Sequence, residues 1–366
     1  MTARELSRQD VEDILYGATL FGAGGGGELS EGFGLLDEVT TAGKPLRMIA
    51  LEDVPDDALI CTPYLLGAIS ALPEDEERLY RGLPQGDVHP IRLAHRRLVR
   101  FLGAPLFGAV PCELGGSNTA VPFYVAAMEG GVVIDADPAG RAVPEITHSS
   151  YYLADLPAAP IVAANEFAET IILEGIVDDA RAETLVRALS RASRNDIAAI
   201  DHALPAGQLR GAINTGTLSR AGHIGRLWRQ NRDNPTTLPH KLAAETGGKV
   251  AFTGKVVSSD WRTEAGFTFG EFCINAAGQT LRITLKNENM VAWLDDEVRA
   301  TIPEIISVMD VNTGEIITNP NVTVGRDVSV LVLPAPQMFL TPRGLEIFGP
   351  KYVGLNRAFQ PFCKTG

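Results

Sequence analysis

The sequence predicts a two-domain α/β protein, in which an N-terminal α/β layered domain is followed by a smaller, mostly antiparallel β domain of barrel or sandwich type. The chain has 366 residues, which is more than one ordinary hydrophobic core accommodates. Apolar stretches with helical and with strand periodicity alternate along the first two thirds of the chain. A two-residue period dominates after the polar, proline-containing stretch 231–239. We therefore expect the α/β domain in residues 1–235 and the β-rich domain in residues 236–366.

The first domain is predicted to alternate helices and strands. Ser7 and Asp10 resemble a capping box at the start of the first helix, which is expected to end between Gly17 and Gly22. Later helices are expected at 33–39, 89–102, 118–128, 178–193 and 216–229. Strands are expected at 47–51, 59–62, 105–110, 132–134, 169–177 and 196–204.

The second domain is predicted to consist of short strands joined by turns. The turns are marked by the sequences Ala-Gly, Asp-Asp, Asn-Thr-Gly and Gly-Arg-Asp. The strands are expected at 250–258, 266–275, 280–287, 290–293, 305–311 and 328–333.

Composition narrows the classes of function. Apolar residues make up 45% and charged residues 21% of the chain, as in ordinary globular proteins. A net charge of -13 argues against binding to nucleic acid or to an anionic membrane, because both need a basic surface. The sequence contains no run of 18 apolar residues and no apolar signal-peptide core, so we expect a cytoplasmic protein. The four cysteines are too widely spaced for a zinc site or a disulfide framework, although Cys112 could act as a nucleophile.

The strand at 132–134 leads directly into four ionisable residues, Asp135, Asp137, Arg141 and Glu145. Ligands of α/β proteins bind at the carboxyl ends of strands, which favours a functional role for this segment. A structural salt bridge between Arg141 and one aspartate is the alternative interpretation. It explains less, because one guanidinium does not neutralise three carboxylates.

Three further polar clusters are candidate binding sites. The run Gly24–Gly27 lacks the Lys-Ser/Thr ending of a phosphate loop. It permits close backbone approach, and it precedes a helix whose N-terminus could bind a substrate carboxylate. The alternative is a simple helix-to-helix turn. Residues 113–118 could form a polar cradle or a helix cap, and residues 287–289 could be ligands or a turn. The predicted substrate-binding residues are Gly25, Gly26, Gly27, Glu113, Gly115, Gly116, Asn118, Asn287 and Asn289, and Glu288 is a candidate catalytic residue.

Together these motifs carry a family resemblance. Seven segments resemble, in the same order, the pattern of the S-methyl thiohydantoin desulfurase family, which is associated with hydantoinases and oxoprolinases. The segments are 20–27, 113–118, 135–145, 266–270, 287–289, 303–306 and 344–350. The resemblance extends from about residue 8 to residue 355. The sequence departs from the family pattern at 63–67 and 73–77, where the usual glycine-rich continuation is replaced.

The resemblance implies a two-domain enzyme of hydantoin-like ring catabolism. The implied reaction is hydrolytic loss of methanethiol from an S-methyl thiohydantoin that bears a carboxylate side chain. The small-molecule ligand would present this carboxylate or a ring amide. The alternative is a non-catalytic, small-molecule-binding subunit or protein partner of a hydantoinase- or oxoprolinase-type enzyme.

The chemistry requires activated water, stabilisation of a tetrahedral intermediate and help for the leaving group. Asp135 or Asp137 could act as the base, while Arg141 orients a carboxylate or the substrate. The backbone amides of 115–118 could stabilise negative charge. Glu145 or Glu288 could donate a proton if burial raises its pKa.

Other arrangements stay open at this stage. No cofactor is predicted, but Asp135, Asp137, Glu145 and His148 could hold a divalent metal ion, although no His-x-His or His-Glu-x-x-His spacing supports it. Cys112 could instead form a covalent adduct. The apolar pairs at 339–340 and 347–348 could form a homodimer interface.

Overall fold

A computed structural model describes residues 3–67, 72, 74–319 and 321–363. The helices are α1 (Arg8–Phe21), α2 (Leu29–Thr41), α3 (Glu74–Glu77), α4 (Pro90–Leu102), α5 (Ala120–Glu129), α6 (Ser150–Leu153), α7 (Asp179–Ala192), α8 (Ala206–Leu209), α9 (Thr217–Asn231), α10 (Leu238–Thr246) and α11 (Pro342–Phe348). The strands are β1 (Arg4–Leu6), β2 (Leu46–Ile49), β3 (Leu59–Gly67), β4 (Gly108–Ala109), β5 (Val132–Ile134), β6 (Ala136–Asp137), β7 (Ile161–Ala164), β8 (Thr170–Leu173), β9 (Asp196–Pro205), β10 (Asn214–Thr215), β11 (Lys249–Glu264), β12 (Phe267–Ala276), β13 (Gln279–Lys286), β14 (Glu288–Leu294), β15 (Glu297–Thr301), β16 (Ile305–Asp310), β17 (Ile316–Ile317) and β18 (Asp327–Leu333).

The first sheet has the strand order β1-β2-β5-β4-β3-β9-β7-β8. Its centre is parallel, because β2, β5, β4 and β3 run in the same direction. The flanking strands are antiparallel to their neighbours, and β9 lies between β3 and β7. The carboxyl ends of the parallel strands β2, β5, β4 and β3 lie at one edge of the sheet.

Helices cover this sheet and share a large apolar core with it. The predicted capping box at the start of α1 is confirmed, because the Ser7 and Asp10 side chains each bind the other's backbone amide. Helices α1 and α9 approach closely, so that a Cβ atom on Gly225 would lie 1.7 Å from the Asp13 carbonyl oxygen. This contact fixes the end of α1 and therefore the glycine run that follows it.

The second sheet is antiparallel throughout, with the strand order β15-β14-β13-β12-β11-β18-β16-β17. It curls so that β14 also contacts β16, and the Asn289 side-chain amide bonds to the Ile306 carbonyl oxygen at 2.9 Å. The interior holds a separate core that includes Phe272, Ile283 and Val330. The predicted order of an α/β domain and an antiparallel β domain is confirmed.

Three expectations need correction at the level of elements. The stretch 231–239 does not only separate the two domains, because α10 begins within it and has Pro239 in its first turn, where proline is well tolerated. The short strands β1, β6, β7, β10, β15 and β17 were not predicted. The proposed interface pairs are not exposed as pairs, since Phe339 and Phe348 are fully buried in a common apolar cluster.

No helix within the described residues is long and apolar enough to cross a lipid bilayer.

Candidate active site

A cleft of about 1000 Å³ opens beside the carboxyl ends of the parallel strands. Its walls come from both domains. The first domain contributes the glycine run, the end of β3 and the loops after β4 and β6. The second domain contributes the turn between β13 and β14. Residues 64–67 line the cleft, so one departure from the family pattern lies at its wall. The other departure from the family pattern, at 73–77, includes Pro73, which lies outside the described residues.

The glycine run is a close-packed turn in the cleft wall. A Cβ atom on Gly25 would lie 2.1 Å from a Glu288 carboxylate oxygen, so only glycine fits there. Gly26 lies against Gly115, and Gly27 against the Ser117 side chain. Helix α2 begins after Glu28, which makes no capping hydrogen bond. The run therefore brings Glu288 and the 113–118 segment together.

Glu113 is a buried carboxyl group in the cleft wall. One oxygen accepts a hydrogen bond from the Asn118 side-chain amide and the other from the Val143 backbone amide, both at 2.8 Å. Burial outweighs these bonds and raises the pKa of Glu113 to about 7. This carboxyl group therefore exchanges protons near neutral pH.

Glu288 also lines the cleft and is 2% exposed. Burial and the negative charge of Glu113 raise the pKa of Glu288 well above its ordinary value, although the positive charge of Arg141 opposes the shift. Its Oε2 atom has no hydrogen-bond partner among the described residues. Its surroundings thus favour the protonated form of the Glu288 carboxyl group.

Arg141 lies fully buried behind the two carboxyl groups. Its guanidinium donates to the carbonyl oxygens of Ala142, Pro303 and Glu304 at 2.7–3.1 Å. Burial lowers the pKa of Arg141 to about 10, so it stays charged at neutral pH. Arg141 forms no salt bridge with Asp135 or Asp137, which was the alternative interpretation. Its positive charge instead favours the ionised forms of Glu113 and Glu288.

Glu145 lines the cleft in an ionised state. Its carboxylate accepts hydrogen bonds from Lys286 and Tyr352. Burial opposes ionisation of Glu145, but the positive charge of Lys286 and these two hydrogen bonds outweigh it and lower the pKa of Glu145. Glu145 is therefore unsuited to donate a proton.

Asp135 lies outside the cleft lining, at the N-terminus of α9. Its carboxylate accepts from the backbone amides of Leu218 and Ser219 at 2.9 and 3.0 Å and from the Ser219 hydroxyl. The expectation that it acts as the base needs correction, because helix amides satisfy the group away from the cleft.

Asp137 is likewise buried outside the lining. One oxygen accepts from the backbone amides of Ala139 and Gly140 at 2.9 and 2.6 Å and holds the turn after β6. Burial raises the pKa of Asp137 to about 6, despite these bonds. Its geometry is that of a turn-forming aspartate and not of a base facing a ligand.

The predicted substrate-binding asparagines serve mainly to join segments of the chain. The Asn118 Oδ1 atom accepts from the Leu65 amide at 3.0 Å. The Asn287 Oδ1 atom accepts from the Thr268 amide at 2.8 Å, and the Asn289 backbone amide donates to the Ala23 carbonyl oxygen at 2.8 Å. Asn289 and the glycines 115 and 116 do not line the cleft, although Asn118 and Asn287 do.

The backbone amides near residue 115 are also occupied. Ser117 and Asn118 donate to the Gly26 carbonyl oxygen at 3.2 and 3.1 Å, and Gly115 donates to the Thr119 hydroxyl at 3.0 Å. The expectation that these amides stabilise an oxyanion therefore needs correction for Gly115, Ser117 and Asn118, because internal acceptors use these three amides.

The candidate metal ligands do not converge. Among the described residues, no group of three or more His, Cys, Asp and Glu side chains is arranged to hold a metal ion. His148 is buried between the rings of Phe348 and Tyr352, and burial lowers its pKa to about 3. Its neutral ring packs behind Glu145.

Cys112 lines the cleft as a thiol. Burial, together with the negative charges of Glu113, Asp201 and Asp137, raises the pKa of Cys112 well above its ordinary value. A reactive cysteine needs the opposite environment, one that stabilises the thiolate.

The cleft also contains an ionisable pair that the sequence argument missed, Asp201 and His202 on β9. The signal was present in the sequence, because the two residues interrupt the otherwise apolar stretch 197–204. A charged pair inside a buried strand needs partners and therefore deserves a functional interpretation.

Two family models together match nearly the whole chain. A family model described as S-Me-THD-like, N-terminal domain, matches residues 9–175, and one described as S-Me-THD-like, C-terminal domain, matches residues 177–362. The chain is similar to a protein from Chromobacterium violaceum with a solved X-ray crystal structure. The TM-score is 0.77 at 24% sequence identity, and the alignment covers 98% of this chain and 100% of that one. This likeness shows the fold alone. No match was found among curated proteins.

Proposed function

The chain belongs to the S-Me-THD-like family, and from this premise we propose that it hydrolyses an S-methyl thiohydantoin to a hydantoin and methanethiol. The observation that supports this reaction most directly is the pair of buried carboxyl groups, Glu113 and Glu288, in one cleft. The pKa of Glu113 is raised to about 7, and burial together with the charge of Glu113 raises the pKa of Glu288 and favours its protonated form. Two carboxyl groups whose environments separate their pKa values are suited to act as base and acid.

In the proposed mechanism Glu113 is the general base. It removes a proton from water while the water oxygen bonds to the ring carbon that carries sulfur. Glu288 donates its proton to the adjacent ring nitrogen, which gives a neutral tetrahedral intermediate. The carbon–sulfur bond then breaks, the thiolate leaves with the proton held by Glu113, and the hydroxyl proton returns to Glu288. One water is consumed, and both carboxyl groups regain their initial state.

Arg141 and Glu145 support this chemistry without exchanging protons. The buried Arg141 charge limits the repulsion between Glu113 and Glu288 when Glu113 is ionised. Asn118 fixes the Glu113 carboxylate. Glu145, held by Lys286 and Tyr352, presents an ionised acceptor to the bound ring.

The test is to incubate the purified chain with an S-methyl thiohydantoin and to measure methanethiol with a thiol reagent. In water enriched in oxygen-18, the label should enter one carbonyl group of the hydantoin product. Glu113→Gln should lower kcat at least about 100-fold, since general bases contribute ~10²- to 10⁴-fold. Glu297→Gln, a matched change at an exposed strand residue, should leave kcat unaltered.

Two results would contradict the proposal. Release of thiol without oxygen-18 in the product would exclude attack by water. Tight binding of hydantoins without any turnover would favour the alternative of a binding subunit of a hydantoinase-type enzyme.

A further inference from the structure

Asp201 and His202 occupy an irregular position in the middle of the first sheet. Thr62 of β3 pairs with Asp201, whereas Ile60 pairs with Leu204, so two residues of β9 lie opposite one residue of β3. This is a β-bulge, which changes the direction of a side chain and is common beside active sites. His202 has φ of +42°, a left-handed backbone conformation that is uncommon for residues other than glycine.

The bulge allows consecutive side chains to meet, although neighbours on a regular strand point to opposite faces. The His202 Nδ1 atom lies 2.7 Å from the Asp201 carboxylate. The Tyr151 ring stacks on the imidazole with centroids 4.1 Å apart, and the Tyr151 hydroxyl bonds to the Thr62 hydroxyl at 3.1 Å. The orientation of the imidazole is therefore fixed at one edge and across one face.

The contact of Nδ1 with Asp201 leaves Nε2 as the other hydrogen-bonding atom of the ring. A carboxylate accepts hydrogen bonds, so the tautomer that matches this contact has its proton on Nδ1 and a lone pair at Nε2. The Nε2 atom is buried, and no partner for it exists among the described residues. His202 is 3% exposed and lines the cleft. A buried acceptor without a partner is costly, unless a ligand supplies the donor.

We infer that His202 is a ligand-binding residue whose Nε2 atom accepts a hydrogen bond from a ring N–H group of a five-membered cyclic amide, with Asp201 as its positioning residue. This inference rests on the proposed function for the choice of ring. It assigns to the cleft a contact that selects unsubstituted ring nitrogens and does not take part in the proton transfers of Glu113 and Glu288.

The experiment compares the binding of hydantoin, 1-methylhydantoin and 3-methylhydantoin by calorimetry. On the unmodified protein, methylation of the recognised nitrogen should raise Kd, and methylation of the other nitrogen should change it little. Loss of one such hydrogen bond corresponds to a rise of about 3- to 10-fold. This comparison changes only the ligand and does not depend on the folding of a variant.

Two variants complete the design. His202→Asn removes the imidazole but keeps a residue type that tolerates the left-handed backbone. It should raise Kd for hydantoin about 3- to 10-fold and should not weaken binding of the sensitive methyl derivative further. Asp201→Asn presents an N–H group to Nδ1, moves the ring proton to Nε2 and should weaken hydantoin at least as much. Asp260→Asn, on an exposed residue of β11, removes the same charge as a control.

The inference is overturned if both methyl derivatives bind as tightly as hydantoin, if His202→Asn weakens all three ligands equally, or if hydantoin does not bind at all. Its failure is separable from failure of the proposed reaction. A binding pattern as expected without release of methanethiol contradicts only the reaction, whereas normal turnover with no sensitivity to methylation contradicts only the role of His202.

Discussion

Glu113 shows how a single position can be set to exchange protons near pH 7. Its carboxyl group has two good hydrogen-bond donors, Asn118 and Val143, and both favour the ionised form. Burial of the carboxyl group has the opposite effect and is larger. The resulting pKa of about 7 is the property that a general base requires for use at physiological pH.

This ionisation predicts the pH dependence of the proposed reaction. The base is active when ionised, so kcat/KM should rise as the pH increases towards about 7 and then level off. No fall should follow until Glu288 ionises, and burial together with the charge of Glu113 raises the pKa of Glu288. Thiol release measured from pH 5 to pH 10 tests this, and a profile without any rise between pH 5 and pH 7 would contradict the role of Glu113.

Asp137 allows a prediction about stability. Because its pKa is raised from 3.8 to about 6, the folded state favours the neutral carboxyl group, and stability is lost as the pH rises through this interval. The loss amounts to roughly 3 kcal/mol by pH 7. Asp137→Asn removes the titration, so its free energy of unfolding should change less between pH 4 and pH 7 than that of the unmodified protein. Urea denaturation at the two pH values measures this, and parallel behaviour of both proteins would contradict it.

At the scale of elements, helix α9 determines both the placement of Asp135 and the position of the glycine run. Its N-terminal amides bind Asp135, and its closely packed face holds α1 and the glycine run in place. A helix N-terminus carries a partial positive charge and binds carboxylates well. The same strand end that the sequence indicated as catalytic therefore anchors a helix.

Removal of this anchor should be measurable. We expect Asp135→Ala to lower the free energy of unfolding by about 1–2 kcal/mol, as for other helix-capping side chains, and Asp135→Asn to lower it less. Chemical denaturation gives the values. If Asp135→Ala instead abolished thiol release at unchanged stability, the carboxylate would belong to the chemistry after all.

The contact between α1 and α9 should be equally sensitive. Gly225→Ala places a methyl group 1.7 Å from the Asp13 carbonyl oxygen, where only backbone displacement relieves the overlap. We expect a loss of about 2–4 kcal/mol in unfolding free energy, the range of severe overpacking. Gly34→Ala, at a helical glycine of α2 with no atom within 4 Å of an added methyl group, is the matched control without overlap. Equal losses in both variants would contradict the packing argument.

At the scale of the whole molecule, the cleft is strongly acidic. Its lining includes the carboxyl groups of Glu28, Glu31, Glu38, Glu113, Glu145, Glu183, Asp196, Asp201 and Glu288. The lining arginines are already paired, Arg187 with Glu183 and Arg194 with Glu77 and Glu166. A ligand therefore enters a negative field.

This charge predicts a preference among substrates. S-methyl thiohydantoins with an amino side chain should have a KM about tenfold lower than equally long analogues with a carboxylate, since one close charge contact contributes on the order of 1 kcal/mol. The difference should shrink when the salt concentration is raised. A lower KM for the carboxylate analogue would support the substrate that the family resemblance implies.

Sequence periodicity predicted most of the fold, but the sequence predicted only part of the candidate active site. The order of helices and strands could be predicted because each element buries one face. Gly25, Glu113 and Glu288 could each be named as site candidates from their motifs, whereas the directions of Asp135 and Asp137 depend on partners from α9 and from a turn. Asp201 and His202 were overlooked because the effect of a β-bulge on side-chain direction is set by strand pairing.

The position of β9 has a consequence for how the protein is made. This strand follows β7 and β8 in the chain, but it lies between β3 and β7 in the sheet. While the ribosome is still producing residues 196–205, the β7–β8 hairpin and the strands around β3 are two separate pieces with unpaired edges. Exposed edges invite pairing with other chains, so the newly made protein is most vulnerable to aggregation in that interval. The arrival of β9 closes the gap and brings Asp201 and His202 to their position in the same step.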